Sequence, residues 1–323
     1  MTRFVKSWFG PLLQGSLLLA LVLAMSGCRT SRPGSAGPFT LHGVESGGGE
    51  PVLVAPGVVN SPAFEMNARP SSNGEEFFFT RASEDWKSMA ILRCEWRGDH
   101  WSKPEELPFN QDFQNADPFL SPDGNRLFFA SKRDVMNRPK GDFDLWVVDR
   151  SGNTWGDPMP LVSLNSSEDD VSPILVADGS LYFTSKREGG LGSYDVYHAA
   201  WDGEHFLAPK NLLAPVNSRH TEVDCYVNPE QTILLYAGHE RKDTLGKGDI
   251  YVCFKSKGSW SAPHHLDAPI NSPAMELCPS LSPDGRYLFF SSTRSPSAGS
   301  NKEAGSADIY VVDIQSLQQF QER

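Results

Sequence analysis

Basic residues are in deficit: 29 Lys and Arg stand against 40 Asp and Glu over 323 residues, a net charge of −11 at neutral pH. A chain this acidic offers no basic footprint for phosphates, which excludes nucleic acid and leaves a neutral or basic partner. Cysteine is scarce too, five in all. Cys94, Cys225, Cys253 and Cys278 show no paired spacing of the metal-binding kind, and their strand-like surroundings point to buried thiols rather than a disulfide framework. No uninterrupted apolar run reaches the ~20 residues that a membrane-spanning helix needs. Also missing are a nucleophile paired with a base, a glycine-rich phosphate loop and a metal-ligand motif, so the residues imply no cofactor and no metal, and favour a binding module over an enzyme.

What is present is a repeat. Asparagine recurs at Asn60, Asn110, Asn165, Asn217 and Asn271, at intervals of 50, 55, 52 and 54 residues, and five residues after each comes an acid or an amide: Glu65, Asn115, Asp170, Glu222, Glu276. A period near 50 built of short strands and Gly/Pro turns is the mark of a propeller with four-stranded blades. Within a repeat, Ser121-Pro122-Asp123-Gly124 and Ser282-Pro283-Asp284-Gly285 join apolar runs, with worn copies at Ser71–Gly74, Val176–Gly179 and Asn228–Gln231. Proline presets φ and glycine supplies a positive one, so each copy predicts a tight turn between antiparallel strands. The strand after the turn, as in Phe77-Phe78-Phe79 or Leu288-Phe289-Phe290, is apolar on both faces, as a middle strand between neighbouring blades must be.

The fourth strand of each blade is expected to begin near Trp101, Trp155, Phe206 and Trp260, each followed by a proline of the kind an edge strand tolerates. The last repeat has no such segment after Val312. Its counterpart, Glu50 to Ala55, lies at the other end of the chain, so the N-terminal strand is expected to pair beside Ile309 to Val312 and close the ring. The fold class is therefore all-β, a five-bladed propeller of four-stranded antiparallel blades occupying residues 50–323, and a monomer.

Residues 1–27 read as a signal peptide: Arg3 and Lys6, an apolar run from Leu17 to Met25, then Ser26-Gly27. With Cys28 next, the pattern resembles a bacterial lipoprotein signal, which implies lipidation of Cys28 and, with Arg29 following, the outer membrane of the cell envelope. Residues 28–49, rich in Gly, Ser and Pro, read as a flexible tether. The repeats themselves closely resemble those of TolB-like propellers of bacterial envelope proteins, including repeats that accompany OmpA-like domains. Ser-Pro-Asp-Gly, Ser131-Lys132-Arg133, Ser185-Lys186-Arg187, Glu188-Gly189-Gly190-Leu191-Gly192 and Trp260-Ser261-Ala262-Pro263 carry that resemblance. It implies the fold, the compartment and a scaffolding or binding role, with no OmpA-like or peptidase segment beside the ring.

Both the entry of a blade's first strand and the exit of its second lie on the face opposite the Pro-Asp-Gly turns. Glu65, Asn115, Asp170, Glu222 and Glu276 are accordingly expected to ring the channel mouth, and two residues on, with the same side-chain direction, come Asn67, Asp117, Ser172, Asp224 and Cys278. Glu65, Asn115, Asp117, Asp170, Glu222, Asp224 and Glu276 form the candidate ligand site, an acidic funnel for an envelope protein or glycan. The competing reading of these groups is that they cap strand starts. Arg133, Arg187, Arg241 and Arg294 are expected to clasp Asp144, Asp195, Asp249 and Asp308 within their blades, with Ser83 and Ala90 marking joint loss in the first. His220 and His239 sit on the same face without a ligand spacing. A glycoside hydrolase or lyase using channel-mouth carboxylates is the alternative function, and a calcium-stabilised hub a third.

Overall fold

In a computed structural model, which describes residues 39–44, 49–111, 113–135, 141–294 and 306–316, the chain is a five-bladed β-propeller. The expected signal peptide, Cys28 and most of the expected tether lie outside these residues. Blade 1 runs Phe64–Pro70, Glu76–Ala82, Met89–Glu95 and Glu105–Glu106. Blade 2 runs Asn115–Leu120, Arg126–Ser131, Asp144–Ser151 and Met159–Pro160, and blade 3 Asp170–Leu175, Leu181–Ser185, Asp195–Ala199 and Lys210–Asn211. Blade 4 runs Thr221–Val227, Ile233–His239, Asp249–Ser256 and His264–His265; blade 5 runs Glu276–Leu281, Tyr287–Ser292 and Asp308–Asp313. Its fourth strand is Val52–Leu53, paired antiparallel through Val52 with Val311 and Leu53 with Tyr310. The N-terminal strand closes the ring.

The Ser-Pro-Asp-Gly turns form for the reasons their residues give. In blade 2, Ser121 Oγ donates to Asp123 Oδ1 at 2.5 Å and accepts from Arg126 N at 2.9 Å, while Gly124 holds a φ of 72° and donates to Ser121 O. Blade 5 repeats this at Ser282, Asp284 and Gly285. The second strands carry the core: Phe77, Phe78, Phe79, Phe129, Phe183, Phe289 and Phe290 are fully buried between blades, where each stabilises by roughly 1.5–3 kcal/mol. Cys94, Cys225, Cys253 and Cys278 are buried free thiols among them.

The asparagine of the repeat extends the sheet. Its side-chain amide pairs with both backbone groups of one residue on the third strand of the preceding blade, as a further strand would. Asn271 Oδ1 takes Ile250 N at 2.8 Å and its Nδ2 gives to Ile250 O at 2.9 Å; Asn217 does the same to Val196, Asn165 to Leu145 and Asn110 to Ile91. Asn60 reaches Ile309 across the closure. A backbone edge that a two-residue fourth strand leaves open is thereby satisfied.

Two expectations are corrected. Trp101, Trp155, Phe206 and Trp260 do not begin the fourth strands; they pair with the tail of the third strand at Trp96, Arg150, Trp201 and Lys255, and the fourth strand starts only after the following proline. Proline lacks the N–H that the ladder needs, so pairing resumes beyond it. Part of the expected tether is also packed: His42 stacks on Trp96 with centroids 4.7 Å apart, its carbonyl accepts from Trp101 Nε1, and Leu41 and Val44 lie against the core shared by blades 1 and 5. Their apolar and aromatic groups give this stretch something to bury.

Candidate functional site

The five constant-register groups do not ring an open mouth. Glu65, Asn115, Asp170, Glu222 and Glu276 are each 0% exposed. They tie the loop between blades to the start of the first strand. Ser61, Ser166, Ser218 and Ser272 donate their backbone N–H to Glu65, Asp170, Glu222 and Glu276 at 3.1, 2.5, 3.0 and 2.9 Å, and the hydroxyls of Ser218 and Ser272 add bonds of 2.6 and 2.7 Å. Asn115 instead donates to Asn110 O and Phe113 O. The Asn-Ser-acid spacing in the sequence is thus the spacing of a closed loop.

Each group also takes a guanidinium, which corrects the expected clasps. Arg187 pairs with Asp170 at 2.6 Å, Arg241 with Glu222 at 3.3 Å and Arg294 with Glu276 at 3.0 Å, while Arg133 donates to Asn115 Oδ1 at 2.7 Å. Asp195 and Asp249 serve other groups: Asp195 accepts from Leu191 N, Gly192 N and Asn211 Nδ2, and Asp249 from Leu245 N, Gly246 N and His265 Nε2. Blade 1 has not lost its arginine. Arg81, two residues upstream of Ser83 and so on the same face of the strand, reaches Glu65 at 2.8 Å. Burial pushes the Glu65 and Glu222 carboxyls above their ordinary values, against the pull of these serine and arginine contacts.

The next ring is different. Asn67, Asp117, Ser172, Asp224 and Cys278 all hold a positive φ, 58°, 56°, 55°, 55° and 52°, at a bulge that breaks the register of every first strand at the same place. Asn and Asp tolerate this region; Ser and Cys adopt it at a cost. The first strands of neighbouring blades meet around the axis, and the bulge links them. Asp117 Oδ2 accepts from Ser172 N at 2.8 Å and Oγ at 3.3 Å, and Asp224 Oδ2 accepts from Cys278 N at 3.2 Å. Asp117 Oδ1 makes no hydrogen bond among the described residues, and both acids keep accessible surface.

Two further groups complete this level. Asn67 is 2% exposed and its Oδ1 has no partner; Arg69 is 8% exposed, donates to Ala68 O at 3.1 Å, lies 5.6 Å over the Tyr226 ring, and leaves Nε unpartnered. Sequence reasoning missed Arg69. Its signal was legible: at the fourth position after the constant-register group the blades read Arg69, Phe119, Ile174, Tyr226 and Ser280, one charge among uncharged channel residues. No set of three or more His, Cys, Asp or Glu placed to hold a metal occurs among the described residues. His239 is engaged at Nδ1 with Lys247 O at 2.9 Å.

Burial, and then the charge of Asp224, pushes the Asp117 carboxyl up to about 6; burial likewise raises Asp224 and lowers the Arg69 guanidinium. Charged and titratable neighbours of the pair are Arg69, His239, Tyr194, Cys225 and Cys278, with Tyr226 beside Arg69. A carboxyl whose folded pKa is raised stabilises the fold below its unfolded value and loses that contribution as pH climbs through the folded one. Asp117→Asn keeps the acceptor for Ser172 and removes the charge. It is expected to melt higher than wild type near pH 7.5, by on the order of 1 kcal/mol, with the gap closing below about pH 4; melts showing a constant gap across pH would refute the assignment.

The fold and this ring define a class: a five-bladed propeller with a polar channel carrying acids on blades 2 and 4. No family model matches the chain and no curated protein is similar to it in sequence. Solved structures are similar in fold. The protein BT0996, solved as an RGII complex, superposes with a TM-score of 0.56 at 10% identity, over 83% of this chain and 92% of its own, and a glycoside hydrolase does so with the same figures. A Mycobacterium tuberculosis puromycin-hydrolyzing peptidase gives a TM-score of 0.43 at 13% identity over 75% of this chain, which spans 37% of the peptidase.

Proposed function

We propose that this chain is a non-enzymatic binding propeller of the cell envelope, of the TolB-like kind, that takes a glycan into its channel at the level of Asp117 and Asp224. The observation that carries this is a division of labour among the acids. Glu65, Asp170, Glu222 and Glu276 are occupied by serines and arginines of their own blades, whereas Asp117 and Asp224 keep accessible surface next to the partnerless Asn67 Oδ1 and Arg69 Nε. A sugar ring supplies hydroxyls that both donate and accept, which suits acceptors and a guanidinium set on first strands that meet around the axis. On a glycan array, the wild type is expected to retain a defined set of sugars and the Asp117→Asn/Asp224→Asn variant to lose them while staying folded. A silent array for the wild type, or undiminished retention by the variant, would refute the reading.

One observation favours a hydrolase as a second reading: Asp117 and Asp224 are interacting carboxyls on different blades, one with its pKa raised to about 6, and an acid and a base of this residue type are what glycosidic hydrolysis uses. Reducing ends released from a retained glycan by wild type and not by Asp117→Asn would establish it.

The anchor belongs to the same proposal. No helix among the described residues is long and apolar enough to cross a membrane, and acylation of Cys28 would hold the propeller at the outer membrane. Cys28→Ser is expected to move the protein from the membrane fraction to the soluble one; retention in high salt would contradict lipidation.

A further inference from the structure

The ring of positive-φ residues, Asn67, Asp117, Ser172, Asp224 and Cys278, is short of donors. Asp117 and Asp224 bring two carboxylates, Asn67 an amide oxygen with no partner although the residue is 2% exposed, and Arg69 the one guanidinium nearby, which forms no ion pair with either acid. Asp117 Oδ1 has no donor among the described residues, and what reaches the two acids from the protein comes from Ser172 and Cys278 of the neighbouring blades. Counted as charges, two carboxylates face one guanidinium, so the ring is one positive charge short of neutrality when both acids are ionised. Counted as hydrogen bonds, acceptors from blades 1, 2 and 4 lie at one level of the axis without a shared donor. In such surroundings an unmatched carboxylate is costly, and a ligand that supplies the charge and several N–H groups together recovers that cost.

We propose that the ring recognises a primary ammonium, so that the glycan bound there is an amino sugar with a free amine in place of an acetylated one. An ammonium carries three donors and one charge, matching Asp117, Asp224 and Asn67; acetylation removes the charge and leaves one N–H. This inference rests on the glycan reading above and names the sugar class that reading leaves open.

The test is calorimetric titration of the full chain near neutral pH with β-linked glucosamine oligomers, with the same oligomers N-acetylated, and with calcium chloride alone. The free-amine oligomers are expected to bind roughly tenfold or more tighter than the acetylated ones, and Asp117→Asn and Asp224→Asn each to erase that preference without lowering the melting temperature. Equal affinity for the two oligomers overturns the ammonium while leaving the glycan reading in place, as does a glycan array on which only sugars without amines are retained in an Asp117- and Asp224-dependent way. Calcium that raises the melting temperature of wild type but of neither variant would assign the ring to a metal and overturn both.

Discussion

Gly246→Ala is expected to unfold the propeller at moderate temperature or to cost about 3 kcal/mol or more. The φ of Gly246 is not the reason. A Cβ there would stand 1.6 Å from Ala274 O, 2.8 Å from Ala274 C and 2.9 Å from Ser272 O, all backbone of the loop that enters the next blade. Backbone cannot swing aside as a side chain can, so the segment around Gly246 would have to lift from its neighbour. That movement threatens the bonds from Lys247 N to Ala274 O and from Glu276 N to Gly248 O, which join blade 4 to blade 5. Gly192, whose Cβ would fall 1.7 Å from His220 O, makes the same approach between blades 3 and 4 and should respond alike. Gly156→Ala is the control, its Cβ meeting only Asp149 O at an ordinary 3.5 Å. Denaturant melts should separate the three variants; a Gly246→Ala curve overlying that of Gly156→Ala would show that the interblade approach is not tight.

Glu276→Gln should cost about 2–4 kcal/mol. The carboxylate accepts from Ser272 N, Ser272 Oγ, Ser292 Oγ and Arg294 Nη2, at 2.9, 2.7, 2.7 and 3.0 Å, and is 0% exposed. Glutamine replaces one acceptor oxygen with a donor that then faces another donor, and it leaves the Arg294 guanidinium, itself largely buried, without its counter-charge. Adding Arg294→Ala should cost less than the sum of the single changes, because both remove one interaction. Additive costs would show that the arginine and the acid act separately.

Much of this molecule was legible in the chain because its constraints are local and recur five times. The Pro-Asp-Gly turns, the apolar second strands and the N-terminal closure are consequences of residue type and period, and they formed as expected. The site was legible only in part. Distance along a strand says which residues share a direction, but not whether a loop folds back over them; the serine after four of the five repeat asparagines does so, and takes Glu65, Asp170, Glu222 and Glu276 out of solvent. Nor does alternation foresee a bulge. The bulge in each first strand turns Asn67, Asp117, Ser172, Asp224 and Cys278 into the left-handed region, and of these Asp117 and Asp224 keep accessible surface while every group two residues earlier is buried. The arginine clasps failed for a related reason: Asp195 and Asp249 are held by N–H groups of the loops before them, and the guanidinium reaches the constant-register group instead.

Glu222 and Asp224 lie two residues apart on one strand, and the roles assigned to them are opposite: the first holds Ser218 and Arg241 inside the fold, while the second keeps accessible surface and is the proposed acceptor for a ligand. The direct test is the thermal melting of Glu222→Gln and Asp224→Asn, without ligand, near neutral pH. Opposite signs are expected: a fall of several degrees for Glu222→Gln, which disturbs the acceptors of Ser218 N, Ser218 Oγ and Arg241, and an unchanged or higher midpoint for Asp224→Asn, which keeps an oxygen for Cys278 N and sheds a charge that burial disfavours. Two equal falls would make both acids structural and remove the channel ring as a binding site.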